Sequence, residues 1–142
     1  MSKGKVRIVC GILPLPIGYV LNFMLMNINL PLFLVNIFCL LLWGFLSCKL
    51  ADKEHNILIQ IIQMNLAGMI MLTLGVIQVV GFGRFFSNIF GILPQMYFLP
   101  MLSIAFTIIT PFVEIGTMGV TFLVEWIVML VVSYIGIRKK IK

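Results

Sequence analysis

Residues 120–132 read VTFLVEWIVMLVV, and eleven of these thirteen residues are apolar. The run belongs to a longer apolar stretch, residues 117–137, which is followed by the basic sequence RKKIK. An α-helix needs about 20 apolar residues to cross the hydrocarbon core of a membrane, so this stretch is long enough to do so. The sequence therefore predicts a membrane-spanning helix that carries one acid, Glu125, in its interior.

The composition of the whole chain agrees with this interpretation. Of the 142 residues, 62% are hydrophobic and only 10% are charged, and the mean hydropathy is +1.20. Soluble domains are about 45–50% apolar and about 25% charged. We therefore expect an all-α integral membrane protein whose residues 1–142 form a single helical bundle, with no soluble module.

The net charge of +6 does not indicate a nucleic-acid-binding protein. The basic residues flank the apolar stretches, and they do not form a basic face interleaved with aromatic residues on a soluble fold. Such flanking positions are typical of topology signals and of contacts with anionic lipids. We expect lipid as a partner, with anionic lipids at the basic ends, and no nucleic acid.

Five apolar stretches follow one another, at about residues 8–26, 30–48, 57–80, 96–112 and 117–137. The first contains LPLPIG, residues 13–18, whose two prolines predict a kink. In the fourth, only ten residues separate Pro100 from Pro111. Ten residues are too few to cross a membrane, so this stretch is predicted to be re-entrant or interfacial.

The distribution of basic residues bears on the number of crossings. Lys and Arg in short loops favour the cytoplasmic side of a membrane. With four crossings, nine cationic residues lie on one side and Arg84 lies alone on the other; with five, they divide equally. We predict four crossings with both termini in the cytoplasm, in the plasma membrane, and five transmembrane helices is the alternative.

Polar and small residues recur at helical spacing inside the apolar stretches. In the third stretch they form two roughly opposite faces, one with Gln60, Gln63, Ala67 and Gln78 and the other with Asn65, Gly68 and Gly75. Lipid offers no hydrogen-bond partner to an amide, and small residues let helices approach closely, so both faces should turn toward other helices. The third helix is therefore predicted to be packed on both sides.

Glu125 is the main candidate for a functional residue. An acid at the centre of a membrane helix costs about 2.5–3.5 kcal/mol on insertion scales, and intramembrane acids commonly mark ion or proton paths. Glu114 and Thr121 share its helix face, and amides of other helices could converge on it. The candidates for an ion or substrate path are Glu125, Glu114, Thr121, Asn22 and Gln63. For the amides, hydrogen bonding between helices is the competing explanation.

Enzymatic activity is not expected, because the sequence lacks the common catalytic motifs. With one histidine there is no H-E-x-x-H zinc site, and no phosphate-binding loop or G-x-S-x-G motif is present. His55 follows Asp52 and Glu54 in a polar loop, where solvated charge is the expected state and a metal site is not. We expect no cofactor and no metal.

Two classes of function remain. The first is a transport-type protein or a membrane subunit of one, with an intramembrane carboxylate as its proton or cation site. The second is a non-catalytic accessory, immunity or assembly subunit that binds a membrane-protein partner, or a second copy of the chain, through its polar helix faces. The substrate and the partner are not encoded in any motif.

Overall fold

The computed structural model describes residues 3–28, 31–82, 88–111 and 118–141. Within these ranges the chain is helical and has no strand. The helices are α1 (Lys3–Gly11), α2 (Pro14–Asn27), α3 (Leu32–Leu50), α4 (Ile57–Ile77), α5 (Ile89–Phe98), α6 (Leu102–Ile109) and α7 (Met118–Ile141). A π-helical turn, Gln78–Phe82, extends α4, and a 3-10 turn, Leu99–Met101, joins α5 to α6.

Five helical segments of the described chain are long and apolar enough to cross a membrane. They are Lys3–Asn27, Leu32–Leu50, Ile57–Phe82, Ile89–Ile109 and Gly119–Ile141. The predicted all-α bundle is therefore confirmed, and its apolar helices are compatible with an integral membrane protein. Length and apolarity alone do not decide how many segments cross, because that depends on their directions within the bundle.

The start of α1 and the end of α7 lie at the same end of the bundle. Near the N-terminus, the Lys3 ammonium is 3.1 Å from the Asp52 carboxylate in the loop between α3 and α4. Near the C-terminus, Lys140 Nζ donates a hydrogen bond to the carbonyl of Lys49 at 2.7 Å. We call this end the terminal end and the opposite one the distal end.

The segment Ile89–Ile109 is re-entrant, since the chain makes no net crossing between α4 and α7. α4 starts at the terminal end, and α7 packs against it in the opposite direction. Gly75, late in α4, lies beside Phe122, early in α7, whereas Ile61 packs with Ile137 near the end of α7. α7 therefore starts at the distal end, where α4 finishes. This arrangement agrees with a segment that turns back within the bundle, and the number of membrane crossings stays a prediction.

The re-entrant segment begins earlier than the predicted residue 96. Its first helix starts at Ile89, because the Asn88 side chain caps it by accepting a hydrogen bond from Gly91 N at 3.0 Å. The helix breaks at the 3-10 turn, where Pro100 has no N–H to donate and Met101 departs from helical geometry at φ −123° and ψ −3°. The break lies in the interior, since Met101 is buried.

The predicted kink in the first stretch is confirmed. α1 ends at Gly11 and α2 begins at Pro14, whose missing N–H interrupts the helical ladder. The Gly11 carbonyl instead accepts a hydrogen bond from the hydroxyl of Tyr97 at 3.0 Å. Tyr97 is fully buried on α5, so the kink in the first crossing helix is tied directly to the re-entrant segment.

Several glycines allow backbones to approach within contact distance, and Gly18 and Gly136 are two of them. A Cβ added to Gly18 of α2 would overlap the carbonyl oxygen of Met96 in α5. A Cβ added to Gly136 of α7 would lie 2.5 Å from the carbonyl oxygen of Gly44 in α3. Close approach at small residues is the usual way in which membrane helices gain packing energy. These contacts hold the re-entrant segment against α2 and hold α7 against α3.

The prediction that the third apolar helix is packed on both sides is confirmed. α4 contacts α1, α5 and α7, and its residue Gly68 faces Trp126 of α7 and the hydroxyl of Tyr97 on α5. α7 also has several neighbours, since it contacts α3, α4, α5 and α6. The central position in the bundle is therefore shared by α4 and α7.

Candidate functional site

Glu125 lies in the interior of the bundle with no exposed surface. It follows Phe122 by one turn of α7 and precedes Met129 by one turn, and both of these residues belong to the buried core. The Phe122 ring stacks on the ring of Phe98, with 5.2 Å between ring centroids. Because Phe98 directly precedes the 3-10 turn, Glu125 lies one helical turn from the place where α7 meets the break in the re-entrant segment.

Neither carboxylate oxygen of Glu125 has a hydrogen-bond partner among the described residues. Other fully buried polar side chains, such as Asn36 and Gln60, form several hydrogen bonds each. A buried carboxylate ion that is not paired costs several kcal/mol of free energy relative to water. An unpaired carboxylate ion is therefore unfavourable at this position.

Thr121 shares the inward face of α7 and is almost completely buried, but it forms no hydrogen bond to the Glu125 carboxyl group. Its hydroxyl is one helical turn away, and neither carboxylate oxygen accepts a hydrogen bond from it. The role of Thr121 in an ion or substrate path stays a prediction. Thr121 forms part of the wall next to Glu125 along the helix.

The other predicted site residues do not converge on Glu125 through hydrogen bonds. Gln63 accepts a hydrogen bond from Arg7 Nη1 at 2.9 Å, which directs it toward α1 near the terminal end. Asn22 is half-buried on α2 and does not bond to the carboxyl group. Glu114 lies outside the described residues. The spacing in the sequence predicts which side chains face inward, but it does not predict at which level along the bundle axis each one lies.

A second polar group, centred on Ser133 of α7, joins three helices. Trp43 Nε1 of α3 and Asn65 Nδ2 of α4 each donate a hydrogen bond to Ser133 Oγ at 3.0 Å. The hydroxyl oxygen of Ser47 lies 3.4 Å from the same atom. Asn36, Trp43 and Ser47 lie on one buried face of α3. These hydrogen bonds join three helices, and we assign the group a structural role.

The polar loop at the terminal end is held by a buried amide. Gln60 accepts a hydrogen bond from Asp52 N and donates to Asp52 O and His55 O, all at 2.8 Å. The Asp52 side chain pairs with Lys3 and with His55 Nδ1, the latter at 3.4 Å. The hydrogen bond from Lys3 lowers the pKa of Asp52 below its ordinary value. Within the described ranges, no three His, Cys, Asp or Glu residues are grouped to hold a metal ion.

Three residues with important contacts were not singled out from the sequence in these roles. Arg7, taken as a topology signal, is buried and donates to the carbonyl of Leu50 at 3.0 Å. Ser133 and Tyr97 form the tertiary hydrogen bonds described above. A signal was present for Ser133, which lies eight residues after Glu125 on the same helical face. Tyr97 had no comparable signal, because its partner is a backbone carbonyl.

Comparison of this chain with protein-family models, curated proteins and solved structures finds no match. The fold and the environment of Glu125 are therefore the basis on which a function can be inferred.

Proposed function

We propose that this chain is a small membrane protein of the transport type, or the membrane subunit of one, in which Glu125 is the site for a proton or a cation. The observation that supports this proposal is the fully buried Glu125 carboxyl group, which has no hydrogen-bond partner among the described residues. An acid retained only to join helices would be expected to hydrogen-bond to a neighbour, as the amide of Asn65 does.

The depth of Glu125 supports the same conclusion. It is seven residues beyond the first residue of α7, which places it about 10 Å along the helix axis. Its short side chain cannot reach the headgroup region from that depth. A proton or an ion must therefore travel through the bundle to reach the carboxyl group.

The re-entrant segment supplies an element suited to such a path. Non-helical backbone at membrane depth is tolerated where it is surrounded by protein or lines a cavity, and broken helices form the ion sites of many transporters. α7 contacts both helices of the re-entrant segment. Movement of that segment relative to α7 would give one side of the membrane access to Glu125.

We further propose that the terminal end faces the cytoplasm and that the membrane is the plasma membrane. The observation that supports this orientation is the charge distribution of the four-crossing bundle. Nine of the ten Lys and Arg residues of the sequence then belong to the terminal end, and basic residues in short loops favour the cytoplasmic side.

The test is ion flux through the purified chain in liposomes that contain a pH-sensitive dye, under imposed gradients of protons, Na⁺ or K⁺. Glu125→Gln keeps the size and the hydrogen-bonding atoms of the side chain but removes the ionisable group. We expect this variant to fold and to lose flux, whereas Glu125→Asp should retain part of it. The matched control is Glu54→Gln, which makes the same change in the exposed loop and should conduct like the wild type.

Flux through Glu125→Gln at the wild-type level would exclude Glu125 as the ion site. If the chain alone carries no flux and instead co-purifies with a larger membrane protein, the same three variants are to be measured in that complex. Unchanged transport by these variants of the complex, together with weakened assembly of a fourth variant, Glu125→Leu, would favour the accessory-subunit function.

A further inference from the structure

An apolar groove of about 450 Å³ runs along the outer surface between α4 and α7. Its walls include Leu58, Ile62 and Met69 from α4 and Trp126, Leu130 and Tyr134 from α7. Ligand pockets in proteins commonly have volumes of about 300–1,000 Å³. Because the walls are almost entirely apolar, the groove suits a hydrocarbon chain and not a polar solute.

A basic hollow adjoins this groove on the side of the terminal end. It has a volume of about 400 Å³ and is formed by Tyr134, Ile135, Arg138 and Lys139, so that Tyr134 belongs to both spaces. Arg138 Nη1 donates a hydrogen bond to the Tyr134 hydroxyl at 3.0 Å, and its guanidinium lies 5.7 Å from the centre of the Tyr134 ring. These two contacts hold a positive charge at the mouth of the groove.

The charges of this hollow are not neutralised by neighbouring acids. In the part of the chain that the structure describes, the salt bridges involve Lys3, His55 and Asp52, and neither Arg138 nor Lys139 takes part in one. A guanidinium group matches the geometry of a phosphate and can donate two parallel hydrogen bonds to it. The hollow is therefore complementary in charge to a phosphate group.

We propose that the groove and the hollow together form a binding site for an anionic phospholipid. One acyl chain lies in the groove between α4 and α7, and the phosphate contacts Arg138 and Lys139. An apolar groove that ends in a basic hollow matches the two parts of such a lipid, and basic pockets between membrane helices are known to bind anionic headgroups. The site is separate from the one proposed for Glu125, since Glu125 is fully buried and does not line the groove.

Lipid is a better match than a helix of another protein because of the distribution of charge. A partner helix would need an acid opposite Arg138 at the membrane surface and an apolar ridge within the groove. A phospholipid meets both requirements with the chemistry that the bilayer already provides. The exposed positions in the groove, Ile62 at 59% and Val131 at 50%, are free to contact an acyl chain.

The experiment is a lipid titration of the full chain in detergent, monitored by native mass spectrometry. Phosphatidylglycerol and phosphatidylcholine with identical acyl chains are compared. We expect tighter binding of phosphatidylglycerol, and we expect the double variant Arg138→Gln/Lys139→Gln to weaken that binding by about tenfold or more, as loss of charge-assisted hydrogen bonds predicts. Ile62→Trp should fill the groove and weaken the binding of both lipids.

Two matched controls distinguish the site from general attraction to a basic end. Lys5→Gln/Lys53→Gln removes two exposed charges from the same end, and Ile59→Trp changes an exposed isoleucine of α4 that does not line the groove. Both should bind phosphatidylglycerol like the wild type. Equal binding of the two lipids by the wild type, or an equal loss in the Lys5→Gln/Lys53→Gln control, would overturn the proposal. Formation of disulfide-linked dimers by Val131→Cys would also overturn the proposal, because it would show that a second copy of the chain occupies the groove.

Discussion

Asn36 of α3 completes the hydrogen bonding of the broken re-entrant segment by accepting a hydrogen bond from the backbone N–H of Ser103 at 2.8 Å. Its Nδ2 donates to the carbonyl of Leu99 at 3.2 Å, and the Ser103 hydroxyl also donates to its Oδ1. In an uninterrupted helix, Leu99 O and Ser103 N would bond to each other. The Asn36 amide takes the place of that missing bond and anchors the segment to a crossing helix.

The variant Asn36→Leu should therefore destabilise the protein and loosen the re-entrant segment. It leaves the part-buried backbone N–H of Ser103 without its partner, at a cost of about 1–3 kcal/mol, and leaves Leu99 O with only its hydrogen bond from Leu102 N. We expect a lower melting temperature in detergent and faster hydrogen exchange at residues 99–103. The control is Asn27→Leu, since Asn27 is exposed and bonds only to Phe23 O of its own helix. Similar losses in the two variants would mean that Asn36 does not hold the break.

The return of the segment between α4 and α7 to the end at which it starts was predictable because two independent features of the sequence agree. The spacing of Pro100 and Pro111 indicated a segment too short to cross, and the cationic ends indicated that both termini lie on one side. The boundary at Ile89 was not predictable from apolarity, since the side-chain cap of Asn88 sets it. Helical spacing identified inward faces on α4 and α7, because side chains three, four or seven residues apart lie on the same side of a helix.

The composition of the candidate site was only partly predictable. Burial of Glu125 follows from the cost of exposing an acid to lipid. The partners of Gln63 and Ser133 depend on how far each helix is shifted along its axis, and helical periodicity does not determine that shift. Gln63 therefore pairs with Arg7 near the terminal end instead of facing Glu125.

Substitution of alanine for glycine on α7 should lower the stability of the protein at one position and leave it unchanged or raise it at another. Gly136→Ala places a methyl group against the backbone carbonyl of Gly44, which can move only if α3 moves, at a cost of about 1–3 kcal/mol. Around Gly119, the described structure has no atom within 4 Å of an added Cβ, so Gly119→Ala should be neutral or stabilising by up to about 1 kcal/mol through helix propensity. Thermal unfolding of both variants in detergent tests this contrast. Equal stability of the two would contradict the close contact between α3 and α7.

Removal of the Ser133 hydroxyl should weaken the junction of α3, α4 and α7. Ser133→Ala leaves the N–H groups of Trp43 and Asn65 without their common acceptor, at a cost of about 1–3 kcal/mol for each. We expect a lower melting temperature and, in a Trp126→Phe background, an altered emission spectrum of Trp43. Thr73→Val serves as the control, because the Thr73 hydroxyl is exposed and bonds only within α4. An unchanged Trp43 spectrum in Ser133→Ala would show that the hydroxyl is not its partner.

The ion pair between Lys3 and Asp52 should make a pH-dependent contribution to stability. A carboxyl group whose pKa is lowered in the folded state stabilises that state above its unfolded pKa of about 3.9, and the contribution is lost as the pH falls through the folded pKa. Asp52→Asn should therefore melt below the wild type at pH 7, and the difference should shrink as the pH falls below about 4. Glu54→Gln, in the same loop, should show no such trend. If the difference in melting temperature between Asp52→Asn and the wild type does not change with pH, the stabilisation by Asp52 does not come from its ion pair.

The re-entrant topology predicts the side of the membrane from which single cysteines can be labelled. In a background without Cys10, Cys39 and Cys48, cysteines are introduced singly at Ile28, Lys53, Gly119 and Lys140 and treated in sealed vesicles with a membrane-impermeant reagent. Lys53 and Lys140 belong to the terminal end, whereas Ile28 and Gly119 belong to the distal end, so reagent on one side should label one pair only. A fifth crossing between α4 and α7 would instead group Gly119 with Lys53 and Lys140 with Ile28. That exchange of partners would disprove the re-entrant topology, because it requires Ile89–Ile109 to pass through the membrane.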